Sequence, residues 1–223
     1  MILTRRAIVF DLDGTLIDTA PDLCGALNWV LAREGRPLVP VEDVRHMVGE
    51  GARKLIERGL AASGPPPSAD DVEGHVVHFL DHYRRNLSAH SVPFPGVEET
   101  LDALADLGAQ VAICTNKPQG LAVQLLDELG LGHRFPVILG GDSLPVKKPN
   151  PGHVIGTVER MGAALGDVVF VGDSHVDVAA ARGAGVPVVA VSFGYSLVDA
   201  TELGADVVID TFPELLDALD RLS

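Results

Sequence analysis

Six short aliphatic runs punctuate the chain: AIVFDL (7–12), AQVAICT (109–115), PVILGG (136–141), DVVFVGD (167–173), PVVAVS (187–192) and ADVVID (205–210). Each is too short for a helix, rich in Val and Ile, and apolar at odd and even positions alike, so each predicts a strand buried on both faces. Between the later runs lie EETLDALADLG, GLAVQLLDELGL, HVIGTVERMG, VDVAAARGAG and PELLDALDRLS, whose apolar residues recur with helical period. Strands alternating with amphipathic helices require a parallel sheet covered on both sides, a doubly wound α/β domain. With only 4% aromatic residues among 47% hydrophobic ones, its core must be aliphatic.

The first run is set apart from the second, and residues 17–90 between them read as helices. TAPDLCGALNWVLAREG opens with Thr19 as a cap and Pro21 in the first turn; VEDVRHM, GARKLIERGLAAS and ADDVEGHVVHFLDHYRRNL follow. GPPP (64–67) breaks the group, and VPFPG (92–96) marks the return. The expected organisation is a core domain of 1–16 and 91–223 with a helical cap of 17–90 inserted after the first strand.

A formal charge of −14, from 31 acidic and 17 basic residues, argues against a nucleic-acid partner, because phosphate backbones are held by clustered Lys and Arg. No apolar run reaches the ~18 residues of a membrane span, and MILTRRAIVF has neither the apolar stretch nor the cleavage site of a leader. Cys24 and Cys114, far apart in sequence, fit a reducing cytoplasm. The expectation is a cytoplasmic monomer or homodimer acting on a small anionic ligand.

Ligands of open α/β sheets bind beyond the carboxyl ends of the strands. The first strand ends in Asp11 and Asp13, the second in Thr115-Asn116-Lys117, the third leads to Lys147 and Lys148, and the fourth ends in GDSHVD with Asp173 and Asp177. Alternation turns Asp11 and Asp13 to one side, and Asp173 from another strand end would join them. Three crowded carboxylates bind protons unless a cation neutralises them, and a small all-oxygen set suits Mg²⁺. Thr115, Asn116 and Lys148 offer hydrogen bonds and charge to a phosphate, as does the backbone of the Gly14 turn.

In DLDGT (11–15), Thr115, Lys148 within KKPNP and GDSHVD (172–177), taken in this order, the chain resembles the haloacid dehalogenase superfamily phosphatases with a helical cap. The resemblance implies a Mg²⁺-dependent phosphomonoester hydrolase. Asp11 would be the nucleophile that forms an aspartyl-phosphate, and Asp13 the general acid and base. Mg²⁺ would be held by the carboxylates of Asp11 and Asp173 and the backbone carbonyl of Asp13, with Asp177 behind them; Thr115, Asn116 and Lys148 would hold the phosphoryl group. FDLDGTLIDTAPDL and RHMVGEGARKL (45–55) resemble the phosphoglycolate phosphatases of that family, which implies 2-phosphoglycolate as substrate. Gly49 and Gly51 would let the backbone approach the ligand, and Arg53 or Lys54 would meet its carboxylate.

Other members of the family hydrolyse sugar phosphates or pyrophosphate, or act as phosphosugar mutases. A receiver-like signalling module also gathers acids, Thr and Lys on strand ends, but it has no use for a cap. His75, His78 and His82 share a helical face without a Cys or Glu to complete a zinc site. His175 and Cys114 are expected to be bystanders.

Overall fold

The computed structural model describes residues 7–65 and 68–222. Arg5, Arg6 and the last two prolines of GPPP lie outside them.

All six aliphatic runs are strands of one parallel sheet: β1 (Ala7–Phe10), β4 (Gln110–Cys114), β5 (Val137–Leu139), β6 (Val168–Gly172), β7 (Val188–Val191) and β8 (Val207–Ile209). They lie in the order β5-β4-β1-β6-β7-β8. β1 is central, with Phe10 level with Ile113 of β4 on one side and Val171 of β6 on the other. The order reverses direction at β1, so the crevice beyond its carboxyl end is a topological switch point.

Alternate side chains of β1 enter two different cores. Ile8 and Phe10 pack on the face covered by α5 (Val97–Asp106), α6 (Gln119–Glu128) and α9 (Leu215–Arg221). Ala7 and Val9 face α7 (Pro151–Met161) and α8 (His175–Gly183). All four β1 side chains are buried, which is why this strand alternates in direction without alternating in polarity.

The segment between β1 and β4 carries α1 (Ala20–Arg33), α2 (Val41–Arg45), α3 (Ala52–Ala62) and α4 (Ala69–Arg85). Two short strands absent from the sequence reading, β2 (Ile17–Asp18) and β3 (Val92–Pro93), pair antiparallel where the chain leaves the sheet domain and returns. Buried Asp22, in the first turn of α1, fixes the return: its carboxylate accepts hydrogen bonds from the backbone N–H groups of His90 and Ser91 and from the Ser91 hydroxyl. Leu27, Leu31, Ile56, Phe79 and Tyr83 of the helices belong to the same buried cluster as Ile8 and Phe10.

Candidate active site

Asp11 follows β1 directly, and its N–H donates to the Val171 carbonyl at 2.9 Å, tying the strand end to β6. Its carboxyl is buried beside those of Asp173 and Asp177, and the three offer oxygens within 4.8 Å of one another. Lys148 is buried among them, its Nζ 2.9 Å from Asp11 Oδ1 and 2.6 Å from Asp177 Oδ1. Only the Asp177 contact is aligned as a hydrogen bond, so Asp11 Oδ1 is a buried oxygen without one.

Burial pushes the Asp11 carboxyl up to about 7 against the pull of Lys148, with Asp177 adding to the rise. Asp173 is pushed up in the same direction by burial and by its two carboxylate neighbours. For Lys148 burial opposes the charge, but Asp11 and Asp177 overcome it and hold the ammonium well above its ordinary range. A buried carboxylate cluster of this kind lacks positive charge.

The turn after β1 brings Asp13 into place. Gly14 has φ +86°, and a Cβ there would lie 2.6 Å from Asp173 Oδ2 and 2.8 Å from the Tyr195 ring, so both the conformation and the space require glycine. Thr15 Oγ1 donates to Asp173 Oδ1 at 3.1 Å, and the Tyr195 N–H donates to its other oxygen at 2.7 Å. Asp13 Oδ1 accepts from Thr19 Oγ1 at 2.8 Å and from Lys117 Nζ at 2.9 Å. Thr19 therefore makes no side-chain cap to α1, contrary to the sequence expectation.

The four carboxylates of Asp11, Asp13, Asp173 and Asp177 face two ammonium groups, Lys117 and Lys148. With all four ionised, two negative charges are left over, the charge of one divalent cation. The donor set is oxygen only, and Asp11 Oδ1 lacks a hydrogen-bond partner, so these residues fit such an ion. Asp177 suits a supporting role: Lys148 takes one oxygen, and the other accepts from Ser174 N and Oγ and from Asp173 N.

Asp11, Asp13, Thr115 and Lys117 line a small cavity of about 40 Å³ between the sheet and the helical segment. Thr115 Oγ1 accepts from Lys117 N at 3.2 Å, leaving the hydroxyl hydrogen to donate. Gly49 and Gly51, with φ +108° and +93°, bring backbone from the helical segment to the same cavity.

Three expectations need revision. The Asn116 amide is spent on backbone, donating to the carbonyls of Gly49 and Lys148 at 2.9 Å each, so it braces the walls of the site instead of offering hydrogen bonds to a phosphate. Arg53 and Lys54 are exposed on the far side of α3: Arg53 pairs with Glu57 and Glu73, Lys54 with Glu57, and neither lines the cavity. Their i,i+3 and i,i+4 carboxylate partners mark a solvated helix face.

Between the two adjacent lysines the structure distinguishes clearly. Lys147 is exposed and donates to the Glu50 carbonyl, leaving the buried position to Lys148. Histidines 78 and 82 face Trp29, the latter stacked at 4.6 Å, and His75 lies 3.9 Å from Glu34. Among the described residues the Asp11, Asp173 and Asp177 group is the one cluster with metal-ligand spacing. His175 is exposed, and burial pushes the inert Cys114 thiol up to about 12.

The sequence placed Lys117 at a strand end without a role, and Tyr83 went unnoticed. Lys117 is buried, with its Nζ 2.9 Å from Asp13 and 2.7 Å from the Tyr83 hydroxyl on α4. Its place two residues after Thr115 was the available signal; Tyr83, on a helix of ordinary amphipathic pattern, gave none.

The model of the haloacid dehalogenase-like hydrolases matches residues 8–191. The chain belongs to this family. A phosphoglycolate phosphatase of Caulobacter vibrioides is 48% identical over 94% of this chain and 89% of its own length. One from Agrobacterium fabrum is 44% identical over 95% of this chain and 91% of its own. The crystal structure of a predicted phosphoglycolate phosphatase from Haemophilus somnus 129PT superposes with a TM-score of 0.89 at 32% identity, covering 96% of this chain and 97% of that one. A hydrolase family whose sheet ends in this carboxylate cluster leaves the signalling-module alternative without support.

Proposed function

We propose that this protein is a Mg²⁺-dependent phosphoglycolate phosphatase, converting 2-phosphoglycolate and water to glycolate and phosphate. The observation that carries the reading is the Asp11 carboxyl: buried at a strand end beside Asp173 and Lys148, in a residue that lines the cavity, with an Oδ1 that makes no hydrogen bond. Relatives named for this activity support the substrate.

In this reading Asp11 attacks phosphorus, forming the aspartyl-phosphate as the P–O bond to glycolate breaks. Asp13 passes its proton to the departing oxygen, then takes one from the water that attacks the same phosphorus. Phosphate leaves and the Asp11 carboxylate is restored. Thr115 and Lys148 hold the phosphoryl oxygens. Asp11, Asp173 and the Asp13 carbonyl would hold Mg²⁺, which supplies positive charge to the phosphoryl oxygens when bound. Asn116 and Asp177 act by holding the walls and Lys148 in place.

The segment 17–90 serves as the cap over a core of 1–16 and 91–223, excluding bulk water from the intermediate. The cavity wall is mostly aliphatic and aromatic, as with Leu23, Leu55, Phe79 and Leu121, which favours a small ester over a sugar phosphate whose hydroxyls would need polar partners. Among the described residues no helix is long and apolar enough to cross a membrane, and two buried free thiols fit work in the cytoplasm.

The test is release of inorganic phosphate from 2-phosphoglycolate against a panel of phosphate esters, with Mg²⁺ or with EDTA. Asp11→Asn is expected to abolish turnover with the fold retained by circular dichroism. More than trace Mg²⁺-dependent activity in that variant removes Asp11 as nucleophile.

A further inference from the structure

The phosphoryl end of the substrate accounts for Asp11, Thr115 and Lys148, but a phosphorylated carboxylic acid has a second negative group. Arg53 and Lys54, the charged side chains expected from sequence to meet it, face Glu57 and Glu73 and do not line the cavity. We infer that Lys117 and Tyr83 form the subsite for the substrate carboxylate, an inference that rests on the phosphatase reading above.

Lys117 is the one cation among the residues lining the cavity. Its ammonium has three hydrogens, and Asp13 Oδ1 and the Tyr83 hydroxyl take two, leaving one to donate. Tyr83 accepts from Lys117 at 2.7 Å, and among the described residues its own hydroxyl proton has no acceptor. Two donors side by side on a cavity wall, one of them on an ammonium shared with Asp13, match the two oxygens of a carboxylate.

The pair is held rigidly. Tyr83 is buried and stacks on Phe79 with ring centroids 5.7 Å apart, while the Lys117 ammonium lies 4.6 Å from the Tyr83 ring centre. Burial also holds the Tyr83 phenol well above its ordinary range, so it remains a donor at neutral pH. Because Lys117 comes from the sheet domain and Tyr83 from α4, a carboxylate bound between them bridges both parts of the molecule.

The experiment compares ligands that differ only in this group. Binding of 3-phosphonopropionate and of propylphosphonate to the Mg²⁺-loaded protein is measured by calorimetry, and kcat/KM is measured for 2-phosphoglycolate and ethyl phosphate. Wild type is expected to prefer the carboxylate member of each pair. Lys117→Met should reduce that preference by about 10- to 100-fold and Tyr83→Phe by about 10-fold, the range for hydrogen bonds to a charged group. A general loss of catalysis lowers both substrates and leaves the ratio unchanged, so an unchanged ratio in both variants, with wild type still selective, overturns the subsite and spares the phosphatase reading. A wild-type protein that releases phosphate from esters but ignores the carboxylate also overturns it. Failure to hydrolyse 2-phosphoglycolate at all, with other esters turned over, overturns the substrate reading itself.

Discussion

Removing the divalent cation should make this protein less stable as pH rises, over a range where most proteins change little. The Asp11 carboxyl moves from an ordinary value of 3.8 to about 7 on folding, chiefly through burial. A group that binds its proton more tightly when folded favours the folded state below its unfolded value and opposes it progressively above. From about pH 4 to about pH 7 the metal-free protein therefore loses stability; a shift of roughly three units at 1.36 kcal/mol each is about 4 kcal/mol. Asp173, raised by burial and by Asp177 and Asp11, acts in the same direction.

For a chain of this length about 4 kcal/mol corresponds to a Tm change on the order of 10 °C. A divalent cation binds the ionised carboxylates and competes with their protons, so its stabilising effect is small at about pH 5 and large at about pH 8. Thermal melts with Mg²⁺ or EDTA at both pH values measure this directly. Asp11→Asn, which keeps the shape of the protonated carboxyl without its charge, should melt higher than wild type in EDTA at about pH 8. A Mg²⁺ increment equal at the two pH values, or larger at the lower one, would refute the electrostatic account of the site.

Two further outcomes are expected. Gly194→Ala would place a Cβ 2.2 Å from the Asp173 Cβ and 2.7 Å from its Oδ2, so it should weaken Mg²⁺ affinity at least about 10-fold by calorimetry with circular dichroism unchanged; wild-type affinity would mean that Asp173 is not held as described. Arg53→Ala should leave KM for 2-phosphoglycolate within about twofold of wild type, because Arg53 is exposed and engaged with Glu57 and Glu73; a rise confined to this substrate would return Arg53 to specificity.

The sheet was readable because its strands are buried on both faces: AIVF, VVFVG and VVAV call for a parallel sheet covered by helices on either side. Asp11, Asp13 and Asp173 were readable for a related reason, since ionisable residues at the ends of apolar strands have few structural alternatives; Lys148, well beyond the end of β5, and Asp177, in α8, stood out only through the family resemblance. Side-chain direction on helices was not. RHMVGEGARKL pointed to ligand contact by Gly49, Gly51 and Arg53 or Lys54, and Gly49 and Gly51 do line the cavity, but the turn of α3 carries Arg53 and Lys54 away to nearby glutamates. Asn116 failed differently: its amide met two backbone carbonyls, a competition that depends on how loops from distant parts of the chain converge. Tyr83 reads as a core residue in any helical pattern, and only the tertiary fold sets its hydroxyl against Lys117.

These convergences share a pattern. The helical segment meets the sheet domain through residues of the site, with Thr19 on Asp13, Tyr83 on Lys117 and the Gly49 carbonyl on Asn116, and beside the site through the Glu50 carbonyl on exposed Lys147. At the stem, Arg45 grips Asp18 with two hydrogen bonds of 2.9 and 2.8 Å, Asp18 accepts from the Tyr195 hydroxyl, and the Tyr195 N–H holds Asp173. Asp18 is thereby held below the usual carboxylate range although burial opposes it, so the stem pair stays charged at neutral pH. The insertion point explains this economy of contacts: because the chain departs directly after the turn that carries Asp13, any displacement of the helices pulls on that turn and on the partners of Asp13 and Asp173 together. The contacts that seat the helices and those that hold Asp13 and Asp173 are therefore shared.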